Sequence, residues 1–171
     1  MPTNIEIKAR VSDPATLRAR AEHLSDTPVQ VIPQVDTFFA TRKGRLKLRE
    51  LGPARAQLVY YQRDDRGGPK RSEYRIFETD DVEGLRETLT LALGVRGIVK
   101  KVRSLYLIGQ TRLHLDEVDG LGQFMELEVV LRPEQSEAEG MAIATRLMAE
   151  LGVDEADLLD GAYMDLLEQR G

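Results

Sequence analysis

The sequence predicts an α+β fold in which eight strands form a mainly antiparallel β-barrel or tunnel with flanking helices. Eight segments alternate apolar and polar residues with the period of a strand. Short turns that contain Gly, Pro or Asp separate most of them, with the spacing of hairpins. The 171 residues show no internal repeat and no linker between regions of different composition. We therefore expect a single domain over residues 1–171.

The strands are assigned from this alternation. The first is predicted at 4–11, where Ile5 and Ile7 alternate with Glu6 and Lys8. The others are predicted at 29–40, 44–51, 56–63, 71–78, 96–108, 111–118 and 123–131. The turn Arg66-Gly67-Gly68-Pro69 separates the fourth strand from the fifth.

About three helices are predicted from their end signals. Ser12-Asp13-Pro14 combines a capping residue with a proline at a first helical position, which predicts a helix to about Leu24. Asp80 or Asp81 caps a second helix that ends before Gly94. A third helix is predicted from Pro133 to Leu151, and a short amphipathic segment at 163–167 closes the chain.

Composition narrows the classes of function. The net charge of −5 and the pI near 5.2 argue against a nucleic-acid-binding protein with a basic exterior. The chain has no cysteine and two histidines, His23 and His114, so disulfides, Cys-ligated zinc and multi-histidine sites are excluded. Any metal is then expected to have oxygen ligands, as Mg²⁺, Mn²⁺ and Ca²⁺ prefer. No secretory segment and no apolar run of membrane-spanning length is present, which predicts a cytoplasmic protein without a membrane partner.

Charges on the polar faces of the strands are sorted by sign. Side chains alternate strictly along a strand, so alternate charges point the same way. Eight cations and four acids fall on such faces. The cations are Lys8, Arg45, Lys47, Arg49, Arg63, Lys101, Arg103 and Arg112. The acids are Glu6, Asp116, Glu126 and Glu128. For any one strand a solvated face is the better explanation, because amphipathic strands are the commonest antiparallel kind.

The collective pattern favours a closed sheet with these faces turned inward. The lumen would then carry net +4, and like charges that are partly buried are costly unless something neutralises them. A polyanion neutralises the cations, and the carboxylates suit a divalent metal that phosphate oxygens also coordinate. The pattern thus predicts a tunnel that binds phosphate together with metal.

Several segments, in order along nearly the whole chain, resemble the CYTH superfamily. Asn4-Ile5-Glu6-Ile7-Lys8 is similar to its N-terminal Glu-x-Glu-x-Lys signature. Further similar segments lie at 34–39, 45–50, 101–106, 115–118, 120–128 and 163–167. The superfamily comprises class IV adenylyl cyclases, thiamine triphosphatases and inorganic triphosphatases.

The resemblance implies an eight-stranded tunnel that binds a triphosphate with one or two Mg²⁺ or Mn²⁺ ions. It implies that the eight cations named above bind phosphate, with Lys8, Lys101 and Arg103 also expected to serve in catalysis. Glu6, Asp116, Glu126 and Glu128 would bind metal. The first acid of the signature is Asn4 here, which puts a second metal site in doubt.

Five further residues are weaker candidates for the binding site. Lys70 and Tyr74 follow a Gly-Gly-Pro loop that could place them outside the tunnel. Asp36 could equally be structural. His114 is more typical of a packed strand residue than of a catalyst, and His23 lies on a helix without a visible partner.

The resemblance allows two reactions on a nucleoside triphosphate or inorganic polyphosphate. Adenylyl cyclase is the first hypothesis, because 101–106 and 116–124 are most similar to the bacterial class IV cyclases. Inorganic or thiamine triphosphatase is the alternative, and a non-catalytic polyphosphate or nucleotide sensor is the alternative of another class. The sequence does not specify an oligomeric state; a homodimer is compatible with it.

Overall fold

Eight strands and four helices make up the part of the chain that the computed structural model describes, residues 1–64 and 68–170. The strands are β1 (Thr3–Arg10), β2 (Gln30–Phe39), β3 (Arg45–Glu50), β4 (Ala56–Arg63), β5 (Lys70–Thr79), β6 (Val95–Ile108), β7 (Thr111–Val118) and β8 (Gly122–Val130). The helices are α1 (Pro14–Leu24), α2 (Val82–Leu93), α3 (Glu137–Leu151) and α4 (Tyr163–Arg170), with a 3₁₀ turn at Glu155–Asp157.

The strands close into a barrel in the order β1-β5-β4-β3-β2-β6-β7-β8, and each neighbouring pair is antiparallel. Hairpin connections link β2 through β5 and β6 through β8, while β1 closes the ring between β5 and β8. The predicted eight-stranded antiparallel tunnel with flanking helices is confirmed. Of the turn predicted between β4 and β5, Arg66 and Gly67 lie outside the described residues.

Local sequence explains where the helices begin. Asp13 caps α1 by accepting a hydrogen bond from the Thr16 amide, and Asp81 caps α2 in the same way from Gly84. Helix α3 begins at Glu137 rather than at the predicted Pro133, because Ser136 and Glu139 form a capping box there. No helix in the described residues has both the length and the apolar character needed to cross a membrane.

Most of the apolar core lies outside the barrel, between the strands and the helices, while one cluster includes Phe38, Val99 and Tyr163 of the cavity lining. Ile7, Leu113 and Leu127 on β1, β7 and β8 pack in one cluster with residues of α1 and α3. Helix α2 contributes to a second cluster, in which Val82 packs with Leu48 of β3. Because the outward faces of these strands are apolar and covered by helices, their inward faces carry the polar and charged side chains.

Gly140 permits α3 to approach the barrel closely. A Cβ atom at this position would lie 2.5 Å from Leu131 Cδ2 and 2.7 Å from Ile5 Cγ1. We expect Gly140→Val to lower the free energy of unfolding by about 1–3 kcal/mol, since overpacking displaces well-packed neighbours. Urea denaturation measures the change. Ala138→Val, at an exposed position of the same helix, is the matched control and should cost only a few tenths of a kcal/mol. Equal losses in the two variants would contradict the close-packing account.

Candidate functional site

A charged cavity of about 500 Å³ runs through the barrel, and all eight strands contribute to its lining. Among the described residues, the lining includes eight cations and four carboxylates. The cations are Lys8, Lys47, Arg49, Arg55, Arg63, Lys101, Arg103 and Arg112. The carboxylates are Glu6, Asp36, Glu126 and Glu128. The inward orientation of the charged strand faces is therefore as the alternation predicts.

Two of the twelve predicted residues lie outside this lining. Arg45 lies in an adjoining pocket at the mouth beside α4, which also contains Arg63 and Asp165. The Arg45 guanidinium is 2.9 Å from the Asp165 carboxylate. Asp116 is buried in the wall, where Arg103 binds both of its oxygens at 2.7 Å.

The charges occupy two opposite walls of the barrel. The basic wall consists of Lys47, Arg49 and Lys101, on β3 and β6, around Asp36 on the intervening β2. The acidic wall consists of Glu6, Glu126 and Glu128, on β1 and β8. Strands β1 and β2 are four positions apart in either direction around the ring, so the two walls face each other across the cavity.

On the basic wall, one carboxylate holds three cations. Asp36 Oδ2 lies 3.0 Å from Lys47 Nζ and 3.2 Å from Lys101 Nζ, and Asp36 Oδ1 lies 3.1 Å from Arg49 Nε. Asp36 is 0% exposed. Burial alone would raise the pKa of Asp36, but Arg49, Lys101 and Lys47 outweigh burial and hold that pKa well below its usual value. Asp36 therefore stays ionised and fixes the three cations in place.

On the acidic wall, each carboxylate has a cationic partner. Lys8 Nζ lies 3.0 Å from Glu126 Oε1, Arg112 lies 2.9 Å from Glu128 Oε2, and Arg63 lies 3.5 Å from Glu6 Oε2. Burial and then the charge of Glu128 raise the pKa of Glu6. Burial alone would raise the pKa of Glu126, but Lys8, His114 and Arg103 together outweigh burial and hold that pKa well below its usual value.

His114 joins the acidic wall. Its ring and the carboxylates of Glu126 and Glu128 offer ligand atoms that all lie within 4.8 Å of one another, a grouping that could hold a metal ion. Burial, and then the charge of Arg103, lower the pKa of His114, which favours the neutral ring. The strand pairing explains this proximity, because β7 places His114 directly opposite Glu126 of β8.

Tyr163, the first residue of α4, inserts into the cavity. Its hydroxyl donates a hydrogen bond to Asp116 Oδ2 at 2.8 Å, and Lys8 Nζ lies 3.8 Å from the centre of its ring. Asp165, two residues further along, accepts ion pairs from Arg45 and Arg96. Helix α4 thereby covers one end of the tunnel and orients Arg103 indirectly, through Asp116.

The family model of the CYTH domain matches residues 2–163. The chain belongs to the CYTH domain family. No curated protein sequence matches it. Among solved structures, the PH1012 protein from Pyrococcus horikoshii OT3 is 26% identical with a TM-score of 0.84, over 95% of this chain and 98% of that chain.

Two further CYTH-like structures share the fold at lower identity. A Vibrio parahaemolyticus protein with a proposed adenylate cyclase assignment is 21% identical, with a TM-score of 0.75 over 96% of this chain and 97% of that chain. A Hippeastrum protein, proposed as an adenylyl cyclase and described as having dominant triphosphatase activity, is 18% identical. Its TM-score is 0.63, over 93% of this chain and 91% of that chain.

The structure also gives the positions of the residues whose place in or outside the CYTH tunnel the sequence did not decide. Tyr74 lines the cavity and Lys70 is buried, so the loop before them does not place them outside. His114 places an imidazole nitrogen beside the carboxylate oxygens that the sequence predicts as metal ligands. His23 is exposed on α1. Asn4 is buried in the lining, with its amide nitrogen 3.5 Å from Glu6 Oε1.

Removing the charge of Asp36 tests its role in the basic wall of the CYTH tunnel. Asp36→Asn leaves the buried Lys47 and Lys101 and the half-buried Arg49 without their shared carboxylate, so we expect a loss of about 3–5 kcal/mol in the free energy of unfolding. Chemical denaturation at pH 7 measures this loss. Asp119→Asn, at an exposed turn, should change stability by no more than about 0.5 kcal/mol. A loss for Asp36→Asn as small as that of the control would show that the wall does not depend on Asp36.

We expect anion binding to the CYTH tunnel to depend on pH through Lys47. Burial and the neighbouring Arg49 lower the pKa of Lys47 to about 7. A bound polyanion favours the charged ammonium, so binding of tripolyphosphate at pH 8 without metal should take up protons, and affinity should fall as pH rises above 7. Calorimetry in two buffers of different ionisation enthalpy measures the uptake. Lys47→Arg remains charged and should take up fewer protons; equal uptake would refute the assignment to Lys47.

Proposed function

We propose that the tunnel binds a triphosphate together with a divalent metal ion and acts on it as an enzyme, with ATP cyclisation as the reaction. The observation that carries the proposal is the facing arrangement of a basic and an acidic wall across a cavity of about 500 Å³. A triphosphate placed between them contacts cations on one side. On the other side, Glu6, Glu126 and Glu128 would hold the metal ion, which would supply positive charge to the phosphate oxygens. Neither wall alone would indicate a ligand that combines a triphosphate with a metal ion.

The basic wall supplies positioning and charge stabilisation. Arg49 of this wall and the nearby Arg103 of β6 can offer phosphate the guanidinium N–H groups that do not bind Asp36 or Asp116. Lys47 and Lys101 act as compact charges. Their existing ion pairs hold these groups in place before the ligand arrives, so little reorganisation accompanies binding. We assign Lys8 of β1, and Lys101 and Arg103 of β6, to stabilising the reacting phosphorus.

The acidic wall fits a divalent cation by its donor set. Glu126 and Glu128 share one face of β8, and Glu6 lies opposite Glu128 across the β1–β8 pairing. A divalent ion held there would neutralise these carboxylates and offset negative charge that develops on the phosphate oxygens. Asp116 is engaged by Arg103 and Tyr163, so we assign it to positioning Arg103 rather than to metal binding.

The mouth opposite α4 favours a nucleoside triphosphate over inorganic triphosphate. Apolar side chains line it at the ends of several strands, namely Ile32, Leu51, Ile76 and Leu105. The Gln30 amide lies beside them on the lining and can exchange hydrogen bonds with a base. In the cyclase reaction, the ribose 3′-oxygen bonds to the α-phosphorus and pyrophosphate leaves, which gives 3′,5′-cyclic AMP.

The Vibrio and Hippeastrum proteins associate the same fold with a proposed cyclase and with a triphosphatase. Both reactions need a positioned triphosphate and charge stabilisation and differ in which phosphorus is attacked. Product identification therefore decides between them.

Incubation with ATP and Mg²⁺ or Mn²⁺, and separately with tripolyphosphate, tests the proposal. Cyclic AMP together with pyrophosphate is the expected outcome. Orthophosphate alone would replace cyclisation with triphosphatase activity. Saturable triphosphate binding without turnover under either metal would make the protein a sensor rather than an enzyme. Absence of binding by calorimetry would overturn the proposal as a whole.

Neutralising the acidic wall should abolish metal-dependent turnover. We expect Glu126→Gln and Glu128→Gln each to lower kcat/KM at least about 100-fold, because metal-mediated charge stabilisation supplies several kcal/mol of the barrier reduction. Glu117→Gln, on the outer face of β7, is the matched control and should retain activity. Steady-state kinetics at saturating metal measure the effect. Full activity in both variants would show that turnover does not depend on metal binding by Glu126 and Glu128.

A further inference from the structure

His114 has a buried nitrogen that lacks a hydrogen-bond partner. The residue is 5% exposed, and its Nδ1 atom has no hydrogen-bond partner within the described residues. This atom lies 3.6 Å from Glu126 Oε2 and 3.9 Å from Glu128 Oε1, beyond hydrogen-bond distance from both. A buried polar atom without a partner is costly in free energy, and in native structures it calls for an explanation such as a missing ion.

The surrounding ion pairs leave two carboxylate oxygens turned toward this nitrogen. Lys8 binds Glu126 through Oε1, and Arg112 binds Glu128 through Oε2. The other oxygens, Glu126 Oε2 and Glu128 Oε1, are those nearest His114 Nδ1. Arg103 also lies 3.3 Å from Glu126 Oε2, so an ion bound there would share that oxygen with a guanidinium.

The spacing of the three donors suits one ion. Metal–ligand distances of about 2.0–2.2 Å place donors on opposite sides of an ion about 4 Å apart and adjacent donors closer together. The distances of 3.6 and 3.9 Å fall in this range, and all three ligand atoms lie within 4.8 Å of one another.

We propose that His114 is a nitrogen ligand in a mixed site with Glu126 and Glu128, and that this site selects a divalent first-row transition-metal ion over Mg²⁺ and Ca²⁺. Carboxylate oxygens serve all of these ions, whereas an imidazole nitrogen favours the transition metals. The outward-facing residues of β7 and β8 are packed under α1 and α3. His114, Glu126 and Glu128 therefore cannot turn away from the cavity without disrupting that core. The proposal deepens the proposed function, because it names the class of metal for the same tunnel.

Direct metal titration without triphosphate tests the selectivity. Calorimetry of the metal-free protein with Mn²⁺ and with Mg²⁺ should show at least about tenfold tighter binding of Mn²⁺. His114→Gln should remove most of this preference by weakening Mn²⁺ at least about tenfold while changing Mg²⁺ less than about threefold. His23→Gln, at an exposed position on α1, is the matched control and should retain the preference. Equal affinities in the unmodified protein, or an unchanged preference in His114→Gln, would overturn the proposal.

A spectroscopic readout on the unmodified chain keeps the test independent of variant folding. The protein has two histidines, so its imidazole NMR signals are readily assigned. On addition of Co²⁺, a strongly shifted exchangeable imidazole N–H resonance is expected from a ligating His114, and it should persist in His23→Gln. Its absence in Co²⁺-saturated protein would refute nitrogen ligation. These experiments contain no triphosphate, so they test metal ligation by His114 even if the protein shows no turnover. Turnover with Mg²⁺ would not show whether His114 binds the metal.

Discussion

The ion pairs of Asp36 are the interaction on which the tunnel depends. A barrel whose inward faces carry several cations repels itself, and burial removes the water that would screen that repulsion. Asp36 contacts Lys47, Arg49 and Lys101 at 3.0–3.2 Å and joins β2 electrostatically to both of its neighbours in the sheet. One buried carboxylate thus makes three converging cations compatible with a folded protein, while each keeps further donors that a phosphate can use.

The inward charges in turn require that the core lie elsewhere. In this chain the core surrounds the barrel, with α1 and α3 over β1, β7 and β8, and α2 over β3. Each strand therefore serves two functions through its alternation, since one face stabilises the fold and the other builds the site. A substitution of an acidic-wall carboxylate is therefore expected to act on turnover, whereas an overpacking substitution at Gly140 of α3 is expected to act on stability.

Sequence periodicity could predict the strands, their inward faces and most of the charged residues, because alternation along a strand is a local property. It could not predict the partners. Asp36 stands alone among uncharged neighbours in the segment Gln34-Val35-Asp36-Thr37, and its importance appears only when β3 and β6 flank β2. Tyr163 enters the cavity because α4 docks at one mouth, a long-range event. His114 was the residue most open to earlier recognition, since a β7–β8 hairpin places it opposite Glu126.

The opposition of the two walls gives the ligand an orientation. Phosphates on the basic wall would meet cations that are already fixed by Asp36. The carboxylates of the acidic wall are paired with Lys8, Arg63 and Arg112, and a metal ion bound by them would add the positive charge that attracts phosphate to that side. A polyanion alone would therefore lie nearer the basic wall, and a metal ion alone would lie on the opposite side. When both are present, each reduces the unfavourable charge that the other faces, so their binding should be mutually favourable. A phosphorus bound near the metal would then lie close to Lys8 and Arg103, which both contact Glu126, and the apolar mouth would remain for the organic part of the ligand.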